Sequence, residues 1–198
     1  AGNLQPGETV LISGATGMFG SAAVALALAM GAGCIIATGR NAAALAGLEK
    51  LHGPRLRTVA MTGDEIIDRA AMLAAAPGPI DLVFDILPPA ATAIQARTAI
   101  MAVRAYGRVV LMGGVNMQGG PGLELPYAWI MRQCVTIHGV WMYPPHAPAQ
   151  LVKLIRSGLL RIADTETTVF GLDSVNEAVA HAHANSGPFQ RTEIRIRS

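Results

Sequence analysis

The sequence predicts a doubly wound α/β fold: a six-stranded parallel sheet in the order 3-2-1-4-5-6, helices on both faces, and a C-terminal helix and strand. Three observations carry this reading. Six short apolar runs, at 10–12, 34–38, 56–60, 80–87, 107–114 and 135–140, alternate with stretches of helical period. The first run passes directly into a glycine-spaced turn, V-L-I-S-G-A-T-G-M-F-G from Val10 to Gly20, that opens an alanine-rich helix. Later runs end on sharp chain breaks, Pro88-Pro89 and Gly113-Gly114.

Val10, Leu11 and Ile12 form the uninterrupted apolar run of a parallel strand buried on both faces. Gly14, Gly17 and Gly20 follow at three-residue spacing. A turn without Cβ atoms adopts positive φ and lets a pyrophosphate approach the backbone, while Gly20 lets the helix sit close to the strand. The free N–H groups near Gly17, Met18 and Phe19 then point at the phosphates, with the positive end of the helix dipole behind them. The usual G-x-G-x-x-G has Ala15 in place of one glycine here, and a tight turn that binds nothing is the competing reading.

A helix over 21–30 ends at Gly31 and Gly33, and the second strand follows. Its carboxyl end is Gly39-Arg40-Asn41, twenty residues past Gly20, where an NAD-binding unit carries Asp or Glu for the ribose hydroxyls. Arg40 offers a cation instead, with Asn41 as a further donor. That pair fits a ribose 2′-phosphate and therefore NADP(H), against an exposed loop arginine as the alternative. Helices are expected at 41–51 and 64–75 around the third strand. The fourth strand, I-D-L-V-F-D-I-L, carries Asp85 near its end; a helix over 90–103 and the fifth strand G-R-V-V-L-M-G-G follow. A short helix at 127–132 leads to the sixth strand, which continues into Trp141-Met142-Tyr143. Helices at 147–157 and 172–184, the latter capped by Asp173 or Ser174, precede a lone strand at 192–196. With nothing local to pair with, that strand is expected to join another sheet.

In doubly wound sheets the ligand lies across the carboxyl ends of the strands. The candidate contacts are Thr16, Gly17, Met18, Phe19, Gly39, Arg40, Asn41, Ile86, Leu87, Met112, Gly113, Gly114, Val140, Trp141 and Met142. For Ile86, Leu87, Met112 and Met142 core packing is the competing reading.

Composition narrows the classes. A length of 198 residues suits one large domain, divided here into a cofactor-binding unit at 1–160 and a C-terminal unit at 161–198. Charged residues make up only 14%, well below the roughly 25% usual in soluble domains, so a partner surface is implied. A formal net charge of +2 with no basic stripe gives no sign of nucleic-acid binding. Cys34 and Cys134 have no metal-ligand spacing and read as buried free thiols, while His181 and His183, two apart on a helix, face different ways. Residues 11–39 carry no charge, but five glycines from Gly14 to Gly33 cut the run into strand, turn, helix, turn and strand, so no membrane span is expected. The chain starts at Ala1 without a basic leader; a cytoplasmic piece of a longer protein is the expectation.

The order of these motifs resembles the medium-chain dehydrogenase/reductase superfamily, and within it the zinc-independent, quinone oxidoreductase-like branch. The matching stretches are L-Q-P-G-E-T-V-L-I, G-A-T-G-M-F-G-S-A-A-V, D-L-V-F-D, G-R-V-V-L-M-G-G, L-I-R-S-G-L-L, F-G-L-D-S-V-N-E-A-V-A and the final T-E-I-R-I. The resemblance implies a nicotinamide-cofactor Rossmann domain, normally preceded by a GroES-like catalytic domain that this chain lacks. In zinc-using relatives the metal ligands lie in that preceding part. It also implies a closing strand that pairs within that domain, and a homodimer formed through the edge strand at 135–140. Two departures stand out: Pro88-Pro89 replaces the glycines usual after strand four, and Ala15 replaces a glycine, as in the quinone reductase branch.

The implied activity is NADPH-dependent hydride transfer to a small-molecule quinone, activated alkene or carbonyl. Tyr143 is the nearest proton-donor candidate, with packing as its alternative role. Short-chain reductases need a tyrosine with lysine four residues on; Tyr106, Tyr127 and Tyr143 are followed there by Val110, Met131 and Ala147. An NADP(H)-binding sensor or scaffold without turnover, and a zinc-dependent alcohol dehydrogenase with its ligands outside this chain, are the other readings.

Overall fold

The computed structural model describes residues 1–161, 166–185, 187–188 and 190–196. Six strands, β1 (Thr9–Ser13), β2 (Cys34–Gly39), β3 (Leu56–Ala60), β4 (Leu82–Asp85), β5 (Arg108–Leu111) and β6 (Thr136–Gly139), form one parallel sheet. Their order is β3-β2-β1-β4-β5-β6, as the alternation of strands and helices predicts. The crossovers are made by α1 (Met18–Ala29), α2 (Ala42–His52), α3 (Glu65–Ala75), α4 (Ala93–Ile100) and α5 (Tyr127–Gln133).

The continuous apolar runs arise because successive side chains enter opposite cores. Val10, Ile12, Ile35, Leu82 and Val110 pack with Val24 and Leu28 of α1 and Leu45 and Leu48 of α2. Leu11, Ile36, Val83 and Val109 pack on the other face with Met72 of α3 and Ala99 and Ile100 of α4. All five residues of β1 are buried, as expected of the central strand of a sheet covered on both sides. Register brings Thr38 of β2 and Asp85 of β4 level with Ser13 of β1, and Leu111 of β5 level with Asp85. The strand ends therefore form one rim.

Gly20 fixes how closely α1 meets this rim. A Cβ on Gly20 would overlap the Gly14 carbonyl oxygen and stand 2.7 Å from the Ala15 Cα. These are backbone atoms with no rotamer to move, so Gly20→Ala is expected to destabilise the fold by about 1–3 kcal/mol, read as a lowered urea midpoint.

Several elements differ from the sequence reading. The helix expected over 90–103 spans Ala93–Ile100, because Thr92 and Gln95 form a reciprocal capping box: Gln95 N–H donates to Thr92 Oγ1, and Thr92 N–H donates to Gln95 Oε1. The fourth strand is limited to Leu82–Asp85, although the Asp81 backbone still bonds to both neighbours, its N–H donating to Thr9 O at 2.9 Å and its O accepting from Arg108 N–H at 3.0 Å, while its carboxylate accepts from Thr9 N–H and Arg104 Nε. Cys34 is buried, but Cys134 is exposed and in the left-handed region at the end of α5, which corrects its reading as a buried thiol.

Past α6 (Ala147–Arg156), the chain forms β7 (Glu166–Gly171), a short 3-10 turn, α7 (Val175–Ala184) and β8 (Gln190–Arg195). The last strand is not lone: β8 pairs in parallel with β7, from Glu166↔Gln190 to Gly171↔Arg195. Glu166–Gly171 reads E-T-T-V-F-G, without the apolar run or alternation that marks a strand, so its pairing was hidden. The His181 ring bridges the unit, with Nδ1 2.9 Å from Thr192 Oγ1 and its face against Phe170. Neither Asp173 nor Ser174 caps α7 through its side chain. Parts of the expected 161–198 unit, at 162–165, 186, 189 and 197–198, lie outside the described residues. Among the described residues no helix is long and apolar enough to cross a membrane.

Candidate functional site

A cleft of about 710 Å³ runs along the carboxyl ends of the sheet. Its middle is the turn between β1 and α1. Gly14 sits at φ +90°, and a side chain there would meet the Ile86 carbonyl oxygen at 3.0 Å, so this glycine brings the turn against the chain leaving β4. Gly17 is the N-cap of α1, which has no side-chain cap and no acid in its first turn. The opening N–H groups of the helix are thus left for an anion. The space around Gly17 is also open, since a Cβ there would meet only the Gly14 carbonyl oxygen at 3.6 Å.

At one end of the cleft, Gly39 closes β2 against the Thr16 side chain, leaving no room for a Cβ. Arg40 beside it is exposed and makes no hydrogen bond or ion pair among the described residues. The Asn41 side-chain Oδ1 caps α2 by accepting from Ala44 N–H at 3.0 Å, which leaves its side-chain amide N–H groups to donate elsewhere. At the other end, Ile86, Leu87 and Pro89 face Met112, Gly113 and Gly114. There Gly114 N–H donates to Leu87 O at 2.7 Å, locking the loops after β4 and β5 together.

The structure thus brings together twelve of the residues expected from the sequence: Thr16, Gly17, Met18, Phe19, Gly39, Arg40, Asn41, Ile86, Leu87, Met112, Gly113 and Gly114 all line the cleft. Val140, Trp141 and Met142 are not among its lining. Val140 N–H closes onto Leu111 O and its side chain packs half-buried on the core, after which the chain leaves the sheet and exposes Trp141 and Met142. A sixth strand at the edge of a sheet has no neighbour to hold its continuation over the rim. Conversely, Pro88, Pro89 and Gln95 line the cleft without having been expected there. The capping box signature T-x-x-Q was the available signal for Gln95, because a helix beginning at Ala93 points its first turn at the rim.

A second groove of about 520 Å³ adjoins the first and shares Met18, Phe19, Ile86 and Met112 with it; elsewhere α1, Leu51 and Leu160 give it a mainly apolar wall.

Beneath the cleft lies Asp85, 3% exposed, with Oδ1 lacking a hydrogen-bond partner. Burial pushes its carboxyl up from 3.8 to about 6, partly offset by hydrogen bonds from the Ser13 side chain and the Leu87 N–H. The folded state therefore holds this proton more tightly than the unfolded chain. Stability falls as pH rises through the window from the ordinary carboxylate range to about 6, and the penalty persists above it. Asp85→Asn is expected to raise stability at pH 8 by up to about 3 kcal/mol and to leave it unchanged below about pH 4, measured by urea unfolding at both. Among the described residues no three metal-ligating side chains group together.

A family model described as zinc-binding dehydrogenase matches residues 19–157. The comparison with curated proteins gives no match. Among solved structures, a protein described as an alcohol dehydrogenase from Sinorhizobium meliloti 1021 superposes with a TM-score of 0.76 at 24% identity, over 98% of this chain and 50% of its own. A zinc-binding dehydrogenase from the same organism, bound to NADP, gives 0.71 at 22%, over 90% and 50%. A short chain alcohol dehydrogenase from E. coli CFT073, complexed with NADH, gives 0.74 at 17%, over 96% and 52%. The chain spans about half the length of these structures.

Proposed function

Since the chain belongs to the zinc-binding dehydrogenase family, we propose that it is the cofactor-binding domain of an NADPH-dependent oxidoreductase of the quinone reductase or alkenal/carbonyl reductase type. The observation that carries this is the chemistry at the two ends of one cleft. An uncapped, acid-free helix N-terminus opens beside Gly17, and a cation without an ion pair among the described residues, Arg40, stands at the end of β2 where a carboxylate would favour NAD.

In this reading the α1 N-terminus binds the diphosphate, Arg40 and Asn41 hold the 2′-phosphate, and the loops after β4 and β5 carry the nicotinamide half. When bound, the cofactor supplies a hydride from its nicotinamide ring. The chain orients that ring through Ile86, Leu87, Gly113 and Gly114, and the neighbouring apolar groove gives an apolar acceptor room beside it. The other wall of the reaction site belongs to residues outside this chain, so the chain alone is expected to bind without turnover. The open outer edge of β6, where Thr136, His138 and Gly139 are exposed, supports a homodimer through 135–140.

The test is consumption of NADPH by the full-length protein when quinones, enals and other carbonyl compounds are supplied. Oxidation of NADPH in preference to NADH supports the reading; binding with no acceptor reduced favours a sensor or scaffold. The family match favours one further alternative, a zinc-dependent alcohol dehydrogenase with its ligands elsewhere in the full-length protein. Zinc bound stoichiometrically and required for alcohol oxidation would select it.

A further inference from the structure

We propose that Asp85 reads the redox state of the bound nicotinamide, its carboxylate favouring the oxidised, positively charged ring over the reduced, neutral one. The proposal rests on the dinucleotide reading of the cleft. Arg40 at the end of β2 assigns the adenosine half to that side, so the nicotinamide half lies over the ends of β4 and β5.

Asp85 stands directly beneath that half. It is level with Ser13 of β1 and Leu111 of β5, and three of its neighbours, Ser13, Leu87 and Gly113, line the cleft itself. Its separation from the ligand is thus one layer of backbone: a Cβ on Gly113 would come within 2.6 Å of Asp85 Oδ2. That side chain is hidden from solvent, and Oδ1 has no partner.

Among the described residues no cation is paired with it. β1 presents the Ser13 hydroxyl, β5 presents Leu111 and the loop after it Gly113, none of them charged. The helix packed on β4, α4, carries one ionisable side chain, Arg97, which is engaged with Glu65 of α3 at 3.3 Å. Arg40 stands at the far end of the cleft. Burial accordingly holds the Asp85 carboxyl up at about 6. A buried anion without a counter-ion is poorly screened and attracts the one positive charge that a nicotinamide dinucleotide places nearby. Binding of NADP⁺ therefore lowers the Asp85 carboxyl pKa and releases part of its proton to solvent, and binding of NADPH does not.

The experiment is calorimetric titration of the chain with NADP⁺ and with NADPH over pH, in buffers of different ionisation heat. The 2′-phosphate titrates in the same range but is common to both forms, so it cancels in their ratio. The expected result is that the ratio of the NADPH to the NADP⁺ dissociation constant rises about tenfold between about pH 4 and about pH 8, with up to about half a proton released on NADP⁺ binding between about pH 5 and about pH 6. In Asp85→Asn the ratio is expected to be flat and the proton release lost. Ser13→Ala retains the carboxyl but removes a hydrogen bond that favours its charged form, so the midpoint is expected to move to higher pH. A ratio independent of pH in the unaltered chain would overturn the proposal while leaving the cleft a dinucleotide site. Failure to bind either form would instead overturn the dinucleotide reading beneath it.

Discussion

Gly17→Asp is expected to leave the fold intact, or slightly more stable, and to abolish dinucleotide binding. Gly17 has φ −84° and ψ 166°, a conformation open to any residue, and its Cβ position is clear of all but one ordinary contact. Aspartate is among the best N-cap residues, and its carboxylate complements the positive end of the dipole of α1, so the helix gains about 0.5–1 kcal/mol. The same carboxylate takes the N–H groups meant for the diphosphate and places a like charge against it. At the separations of a cap, that repulsion weakens binding by about a hundredfold or more. Unfolding and calorimetry on one preparation check both halves: a raised or unchanged urea midpoint together with lost binding. Unchanged affinity would mean that the turn does not hold phosphate.

The second large effect is in cofactor choice. Arg40→Ala is expected to weaken NADPH binding by about tenfold to a hundredfold, the worth of a hydrogen bond to a charged group, and to change NADH binding little. The side chain is exposed and makes no hydrogen bond or ion pair among the described residues, so its removal breaks none of them. Arg40→Lys is expected to recover only part of the loss, because a single ammonium replaces a planar fork of donors. Competitive titration with both nucleotides measures the ratio directly; a preference for NADPH that survives Arg40→Ala would remove Arg40 from the 2′-phosphate site.

Much of the fold was legible because its signals are local. The apolar run at Val10–Ile12, the glycines at 14, 17 and 20, and strand-length runs between helical stretches place six parallel strands in order, and the rim residues follow from topology. What stayed hidden depended on tertiary context. T-T-V-F could not be read as a strand until β8 lay beside it. Val140, Trp141 and Met142 continue an apolar run, yet among the described residues no strand of this sheet lies beyond β6 to hold them over the rim. Pro88 and Pro89, which read as a departure from the expected glycines, still line the cleft, Pro89 directly against Gly114. Asp85 was visible as a strand-ending acid, but its charge has consequences only because Ser13, Leu87 and Gly113 bury it.

The central claim, that the cleft along the strand ends holds a nicotinamide dinucleotide with a 2′-phosphate, is tested most directly by calorimetric titration of the unaltered chain with NADPH and NADH under identical conditions. Saturable one-to-one binding of NADPH is expected, at least about tenfold tighter than that of NADH. Equal affinities would contradict the role of Arg40, and absence of binding by either nucleotide would contradict the site itself.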